Sequence, residues 1–536
     1  MNARMNPSKE SAAAASGASA RTLREKTAIR LRPLMLAAAL LAPPASAAPP
    51  APRTPDAILT ARDEGTLRYG EAVAADGRLL AVGSPAAGDT WDAPCSVDLF
   101  EIVPAFPSPP HDGAPARPGF RATLLATLRS NRVGDHFGTS LAVRAAPDGQ
   151  STLIAVGADM AHAELPDGSG VIDFAGAVEL FGSSGRGPSA AHLATLAAEA
   201  PEAAAEFGCA LAIGPDGGLL AIGSRRRDHA SDLDAGAVHV FVTEERGATG
   251  VSWLEREMIV APRPSTSAWF GSAVAIGSVG DTVVLAIGAP GEDTSPELRS
   301  AGAVHLYARA PTDRTFSFLA TIRSPAPSRF AWFGSSLAID GTRLVVGEPR
   351  GIAAGGSAPT QAGAVWVFDL EAVDPPRLLA PPFVEPGLGF GQSVAIRGGT
   401  VLVGAPGADR ANARGAIEDA GVAMLFDLER PVHAHPGEGD GTPVLLADRA
   451  PRPMGLLATT TALIVPRVDG ESTRPTAYAA IGHLYVEEES TAPSQGVAIF
   501  AVPLSGPFPS APAAPPLRAS TTSRASVASP RRRCTR

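Results

Sequence analysis

The sequence predicts an all-β protein, a seven-bladed β-propeller built from four-stranded antiparallel blades. Three observations carry that prediction. An aromatic-Gly pair followed by Gly-marked apolar runs recurs seven times along 536 residues. Each copy holds four short runs of strand character joined by Gly- and Pro-rich connections. The last copy lacks its fourth run, and a run that matches it stands before the first copy. A unit of about 65 residues cannot bury its own apolar faces, so an internal period of this size signals a closed or stacked array.

The first run follows the aromatic-Gly pairs Tyr69-Gly70, Phe137-Gly138, Phe207-Gly208, Phe270-Gly271, Phe333-Gly334 and Phe390-Gly391, with a degenerate copy at Met454-Gly455. Strict alternation of small and branched residues follows each pair, which is the period of a strand. Ala and Ser fill one face, as suits a strand crowded near a central axis. The second run ends in Gly, often followed by x-Pro, as in Val82 to Pro85, Ile287 to Pro290, Val346 to Pro349 and Val403 to Pro406. Pro has no N–H to donate, so it marks where pairing stops.

The third run starts at Gly176, Gly236, Gly302, Gly363, Gly421 and Gly496, with Cys95 in the corresponding place of the first copy. The fourth precedes the next aromatic-Gly pair, as at Leu124, His192, Leu254, Phe318, Arg377 and Val444. In the seventh copy the second run ends at Gly482, which implies an insertion near Leu463 to Thr476. Its fourth strand is expected from Ala57 to Thr60, at the start of the propeller. Four strands per copy with short edges describe a propeller. The predicted propeller spans residues 56–504, with the ring closed by a strand around 56–61.

The ends read differently. Arg21, Arg24, Lys26, Arg30 and Arg32 precede the apolar stretch Leu34 to Ala42, and Ala45-Ser46-Ala47 offers a small-x-small cleavage site. This is the order of a secretion signal over residues 1–47, and the apolar stretch is too short to span a bilayer. Residues 48–55 are an Ala/Pro-rich linker. Residues 505–536 form a Ser/Ala/Pro/Arg-rich tail whose composition predicts disorder. Export to periplasm, cell surface or medium is therefore expected. Nowhere do eighteen apolar residues run together, so no transmembrane helix is expected.

The formal net charge of −9 conceals an acidic body. With the 13 Lys/Arg and two Glu of residues 1–47 and 518–536 set aside, 32 basic residues face 52 acidic ones, a net of −20. Nucleic acid is not an expected partner of such a surface, because phosphate contacts need clustered cations. Of the three cysteines, Cys209 reads as a small buried strand residue. A bridge to Cys95 would have to join strands of different repeats, and Cys534 lies in the tail. No Cys-x-x-Cys pattern is present.

The aromatic-Gly, Gly-Ala-Pro and Gly-Ala-Val-aromatic sequence resembles the FG-GAP repeat of the integrin α-subunit N-terminal propeller, a repeat that also occurs in exported bacterial proteins. The resemblance covers roughly residues 56–503. It implies recognition or adhesion outside the cytoplasm. Integrin-type repeats often carry an Asp-rich calcium loop between the first two strands, and hard cations need several converging oxygen ligands. Here those turns are short and poor in acids: Ala75 to Arg78, Gly214 to Gly218, Asp340 to Arg343 and Arg397 to Thr400. The family's calcium sites do not carry over, and no cofactor is expected.

In this topology the strand 2–3 loops and the strand 4–1 links emerge on one face, and loops on a rigid scaffold commonly bind. The candidate ligand-binding residues there are Trp91, Arg225, Arg226, Arg227, Asp228, Trp269, Glu292, Asp293, Trp332, Asp409 and Arg410. Their plain structural reading is that the charges are solvated and the tryptophans pack between blades. His239 and His305 hold equivalent third-strand positions in successive blades. These lie too far apart to share an ion, so both read as ordinary strand residues. No nucleophile motif, His-Glu-x-x-His or phosphate loop occurs. The expected function is non-catalytic binding of an extracellular or envelope protein or glycan. The alternatives are a glycan-acting hydrolase or lyase using loop carboxylates, and a structural envelope component.

Overall fold

The computed structural model describes residues 55–60, 68–85, 95–105, 119–130, 134–146, 151–164, 170–184, 190–245, 251–352, 361–372, 374–412, 415–429, 443–447, 457–464, 476–483 and 496–503. The expected signal segment over 1–47, most of the expected linker, the expected tail, Met454-Gly455, Asp469 to Glu471 and Trp91 lie outside them.

Seven antiparallel four-stranded sheets form the blades. The innermost strands are Val73–Asp76, Ser140–Ala145, Phe207–Ile213, Ala273–Val279, Ser336–Asp340, Ser393–Arg397 and Leu457–Ile464. Each touches the next, and the last touches the first, so the ring is closed. Within a blade the strands run outward in chain order, except in the seventh. There Leu457–Ile464, Thr476–His483 and Gly496–Pro503 are completed by Ala57–Thr60, paired Ala57 to Ile499 through Thr60 to Gly496. Asp56 extends the seam, its N–H donating to Ile499 O at 2.9 Å and its Oδ2 accepting from Ala501 N at 2.8 Å.

The repeat signature encodes the junctions between blades. The second-strand glycines Gly83, Gly157, Gly223, Gly288, Gly347 and Gly482 leave no room for a side chain. A Cβ on any of them would stand 2.0–2.2 Å from the carbonyl oxygen of Gly138, Gly208, Gly271, Gly334, Gly391 or Gly70 of the following blade. The Gly482–Gly70 contact is the ring closure itself. A second lock joins the third strand to the next blade. Phe207, Phe270, Phe333 and Phe390 donate their N–H groups to Ala175, Ala235, Ala301 and Ala362 at 3.0–3.1 Å. The adjoining Gly176, Gly236, Gly302 and Gly363 have φ of +86 to +98° and lie directly against those phenylalanines. Only Gly meets both demands cheaply.

Seven apolar clusters result, each shared by two neighbouring blades. The aromatic of each aromatic-Gly pair is fully buried in one of them. Its ring meets the aromatic that ends the third strand edge-on, as in Phe137–Phe181, Phe207–Phe241 and Phe390–Phe426, with centroids 5.8–6.1 Å apart. In four blades the fourth strand carries a bulge opposite that aromatic. Two strand 2–3 loops add short hairpins absent from the expected strands, Ala163–Glu164 with Val171–Ile172 and Arg410–Asn412 with Gly415–Ile417.

Two expectations need correction. Cys209 is only partly covered, with Sγ 3.8 Å from Gly271 O, although desolvation pushes its thiol up to about 12. Cys95 is buried. His239 and His305 are not interchangeable strand residues but buried members of polar pairs. His239 Nδ1 lies 2.7 Å from Glu255, and His305 bridges Glu292 at 2.7 Å and Thr321 at 3.0 Å.

Candidate functional site

The strand 4–1 links share one backbone device. Two residues with left-handed φ flank a buried one just before the aromatic: Gly134 and His136, Ala204 and Glu206, Ser267 and Trp269, Phe330 and Trp332, Gly387 and Gly389. The flanked residues Asp135, Ala205, Ala268, Ala331 and Leu388 point inward and are buried. Each offers its carbonyl to the N–H three residues past the second-strand Gly of the same blade. The donors are Met160, Arg226, Gly291, Arg350 and Gly407, at 3.1–3.3 Å. Each of these five blades, 2 to 6, therefore presents, at the same place on the loop face, one residue from its link and one or two from its strand 2–3 loop.

The chemistry of these paired positions changes around the ring. Blade 1 differs, since its link residue Arg68 pairs with Glu71, just past the aromatic-Gly pair, with Nη1 3.0 Å from Oε1. In blade 2, His136 Nδ1 faces Asp159 Oδ1 at 3.5 Å, and that oxygen is buried without a hydrogen-bond partner. In blade 3, Glu206 receives Arg225 Nε at 2.5 Å and Arg226 Nε at 3.0 Å. Blade 4 sets Trp269 over Gly291, whose missing side chain makes room for the indole. Blade 5 lays the guanidinium of Arg350 over Trp332, 3.8 Å from the ring centroid. Blade 6 is bare, with Gly389 and Gly407. Among the described residues, blades 1 to 3 thus carry charged pairs there and blades 4 and 5 carry aromatic residues. Burial raises the Glu71 carboxyl above its ordinary range, against the opposing pull of Arg68.

The candidate residues read from sequence divide into two groups. Arg225, Arg226, Trp269 and Trp332 stand in the paired positions and reach the face together. The acids mostly engage the protein's own backbone or side chains. Asp228, Asp293 and Asp409 are equivalent to one another. Each accepts the N–H of the residue that precedes the next Ala-Gly step, Asp234, Ser300 or Asp419, at 2.8–3.0 Å. They pin the strand 2–3 loop. Glu292 is buried and turned inward to His305 and to Arg323, each at 2.7 Å. Arg227 is held by Ala200 O at 2.8 Å. Arg410 begins the small hairpin of blade 6.

Residues missed in the sequence are Arg68, Glu71, His136, Glu206, Arg329, Phe330 and Arg350. Nothing in their types marks them. For Arg68, His136 and Glu206 the available signal was positional, the residue just before each aromatic-Gly pair. Phe330 is 40% exposed with Arg329 above its ring at 4.8 Å, and Ile352 nearby in sequence is 41% exposed. Among the described residues, no group of three or more His, Cys, Asp or Glu is placed to hold a metal ion. None of the helices there is long and apolar enough to cross a membrane.

With this geometry in place, the comparisons with known proteins fall into order. Residues 384–417, which run from the blade 6 link through its first two strands, match the FG-GAP repeat family model. The match lies within one blade of the seven, and a repeat of this kind fits the seven-bladed architecture. No curated protein matches the sequence. Among solved structures, the crystal structure of the Saccharomyces cerevisiae Sqt1 is similar at a TM-score of 0.41 and 10% identity, covering 82% of this chain and 97% of that one. A likeness at that level bears on no functional point.

Proposed function

We propose that this is an exported, non-catalytic recognition propeller that binds a protein or glycan outside the cytoplasm through its strand 2–3 and 4–1 loop face. The observation that carries the reading is the placement of Trp269 and Trp332. Both occupy left-handed backbone, φ +54° and +59°, at the position where blade 6 has Gly389. A bulky residue held there costs about 1–2 kcal/mol relative to Gly, and both indoles remain half-exposed. Large aromatic and Arg side chains on a rigid face are what binding hot spots are made of. The loop acids favour binding over catalysis, because Asp228, Asp293 and Asp409 each engage an oxygen in holding their own loop.

The test is a screen of the purified chain against envelope proteins and glycans, with and without chelator. Binding is expected to be insensitive to chelator. It should fall about tenfold or more in Trp332→Ala or Trp269→Ala and survive neutralisation of Asp293 or Asp409 in a folded variant. Turnover of a glycan that vanishes on neutralising a single loop carboxylate would replace this reading with the enzymatic one.

A further inference from the structure

Resting on that reading, we infer that the blade 5 sector of the loop face, built around Arg329, Phe330, Trp332, Arg350 and Ile352, binds an acidic protein segment carrying apolar side chains. The sector is an electrostatic exception on this molecule. The link from Arg323 to Trp332 and the whole strand 2–3 loop from Pro349 to Ala362 contain no Asp or Glu. The corresponding loops hold Asp228, Asp232 and Asp234 in blade 3, Glu292, Asp293 and Glu297 in blade 4, and Asp409, Glu418 and Asp419 in blade 6. The body as a whole is acidic, yet exposed charges beyond about 10 Å are screened at ordinary salt. Asp293 borders the sector through Ser300, yet within its own link and strand 2–3 loop a bound segment meets charges of one sign only, those of the arginines.

The arginines are set close together by backbone bonds. Phe330 N donates to Arg299 O at 2.8 Å, Trp332 N to Ser300 O at 3.2 Å, and Arg350 N to Ala331 O at 3.2 Å. Arg299, Arg329 and Arg350 thus surround one short link, all three are exposed, and no carboxylate pairs with them among the described residues. Arg329 and Arg350 lie over aromatic rings. A guanidinium ordered on a ring keeps its N–H fork for a carboxylate and loses less freedom when it binds one. Exposed Phe330 and Ile352 supply apolar contact beside the charges. The glycines of blade 6, Gly389 and Gly407, raise no wall on that side.

A polypeptide suits this arrangement better than an acidic sugar chain. Sugar rings stack on open aromatic faces, and here guanidinium groups cover a face of Phe330 and of Trp332. Carboxylates alternating with apolar side chains match both halves of the sector, as expected of interface cores rich in aromatic residues and Arg.

Fluorescence anisotropy of the full chain with a short fluorescein-labelled peptide alternating Glu and Leu tests this, against a Lys-Leu counterpart and an oligogalacturonate of equal charge. The Glu-Leu peptide is expected to bind and the Lys-Leu peptide not to. The combined Arg329→Glu and Arg350→Glu chain, with an unchanged melting profile, should lose about tenfold or more in affinity. Arg314→Glu, in the strand 3–4 connection, should lose none. Arg350→Lys should lose part, because the charge stays while the fork goes.

The inference is overturned if the native chain ignores the Glu-Leu peptide, if the double reversal binds it as well as the native chain does, or if oligogalacturonate displaces it at lower concentration. A partner from the wider screen that depends on Trp269 or Arg226 but not on Arg329 and Arg350 would leave face-mediated recognition standing and remove this assignment. A screen with no partner on the loop face at all would remove both.

Discussion

At the scale of single residues, the third-strand slot that varies around the ring proves, in blades 1, 3, 4 and 5, to be matched with a neighbour. In blade 1 the aromatic of the aromatic-Gly pair is Tyr69, and Asp98 in that slot accepts from its hydroxyl at 3.2 Å and from Thr127 at 2.6 Å. In blades 3 and 4 the slot holds His239 and His305 with Glu255 and Glu292. In blade 5 it holds Trp366, whose Nε1 donates to Glu348 at 2.7 Å. Glu348 stands where five other blades have Ser or Ala and the seventh has His483, is almost wholly buried, and leaves Oε1 without a hydrogen-bond partner among the described residues. Burial raises its carboxyl from 4.5 to about 7, against the opposing hydrogen bonds from Trp366 and Ser324. An acid raised in the folded state contributes most when protonated. Its contribution is whole below pH 4.5 and is lost as pH rises through about 7. Glu348→Gln stays neutral throughout. Its stability advantage over the native chain should therefore grow from pH 4.5 and level off above pH 7, at a plateau on the order of 1–3 kcal/mol. Denaturant melts across that range read the difference, and a gap that does not vary with pH would refute the burial argument.

At the scale of elements, the blade junction has two kinds of glycine that a substitution series separates. Gly288 meets the Gly334 carbonyl with no space for a Cβ, 2.1 Å away, so Gly288→Ala must push two blades apart. A loss of about 2–3 kcal/mol is expected from such overpacking. Gly341, in the turn between the first two strands, has φ of +59° and open space around it. Gly341→Ala should cost only the left-handed conformation, about 1 kcal/mol. Equal losses in chemical denaturation would mean that the inter-blade contact is not what fixes the second-strand Gly.

These junctions are also why the blades were legible in the sequence. Lock positions admit almost nothing but Gly, Ala and a buried aromatic, so they repeat. Strand order, the insertion before Thr476 and the borrowed Ala57–Thr60 strand follow from counting them. The proposed binding face was far less legible for the converse reason. His136, Glu206, Trp269 and Trp332 share a left-handed link, but no residue type announces it when the occupant is not Gly. Acids drew attention in Asp228, Asp293 and Asp409 because they recur. They recur because each caps a loop backbone, which is a structural duty. Arg350 and Phe330 sat in segments that looked plain, and the informative feature there was the absence of acids from Pro349 to Ala362.

At the scale of the whole molecule, the ring stands or falls on its seam. Six blades are continuous in the chain, while the seventh takes its outer strand from the other end, through pairs from Ala57–Ile499 to Thr60–Gly496. Leu59 packs onto the apolar cluster that joins blades 7 and 1, with Tyr69, Tyr478 and Ile499. Removing Ala57–Thr60 would expose Gly496–Pro503 as an unpaired edge flanked by apolar residues, which invites pairing between molecules. It would also loosen the Gly482–Gly70 contact from the outside. A chain lacking residues 1–60 should therefore show faster hydrogen exchange at Val497 to Ala501 and self-association in light scattering. Leu59→Asp should produce a milder version without shortening the chain. If exchange at those amides were unchanged and the truncated chain stayed monomeric with native stability, Ala57–Thr60 would be an accessory strand and the inner ring of first strands alone would hold the propeller shut.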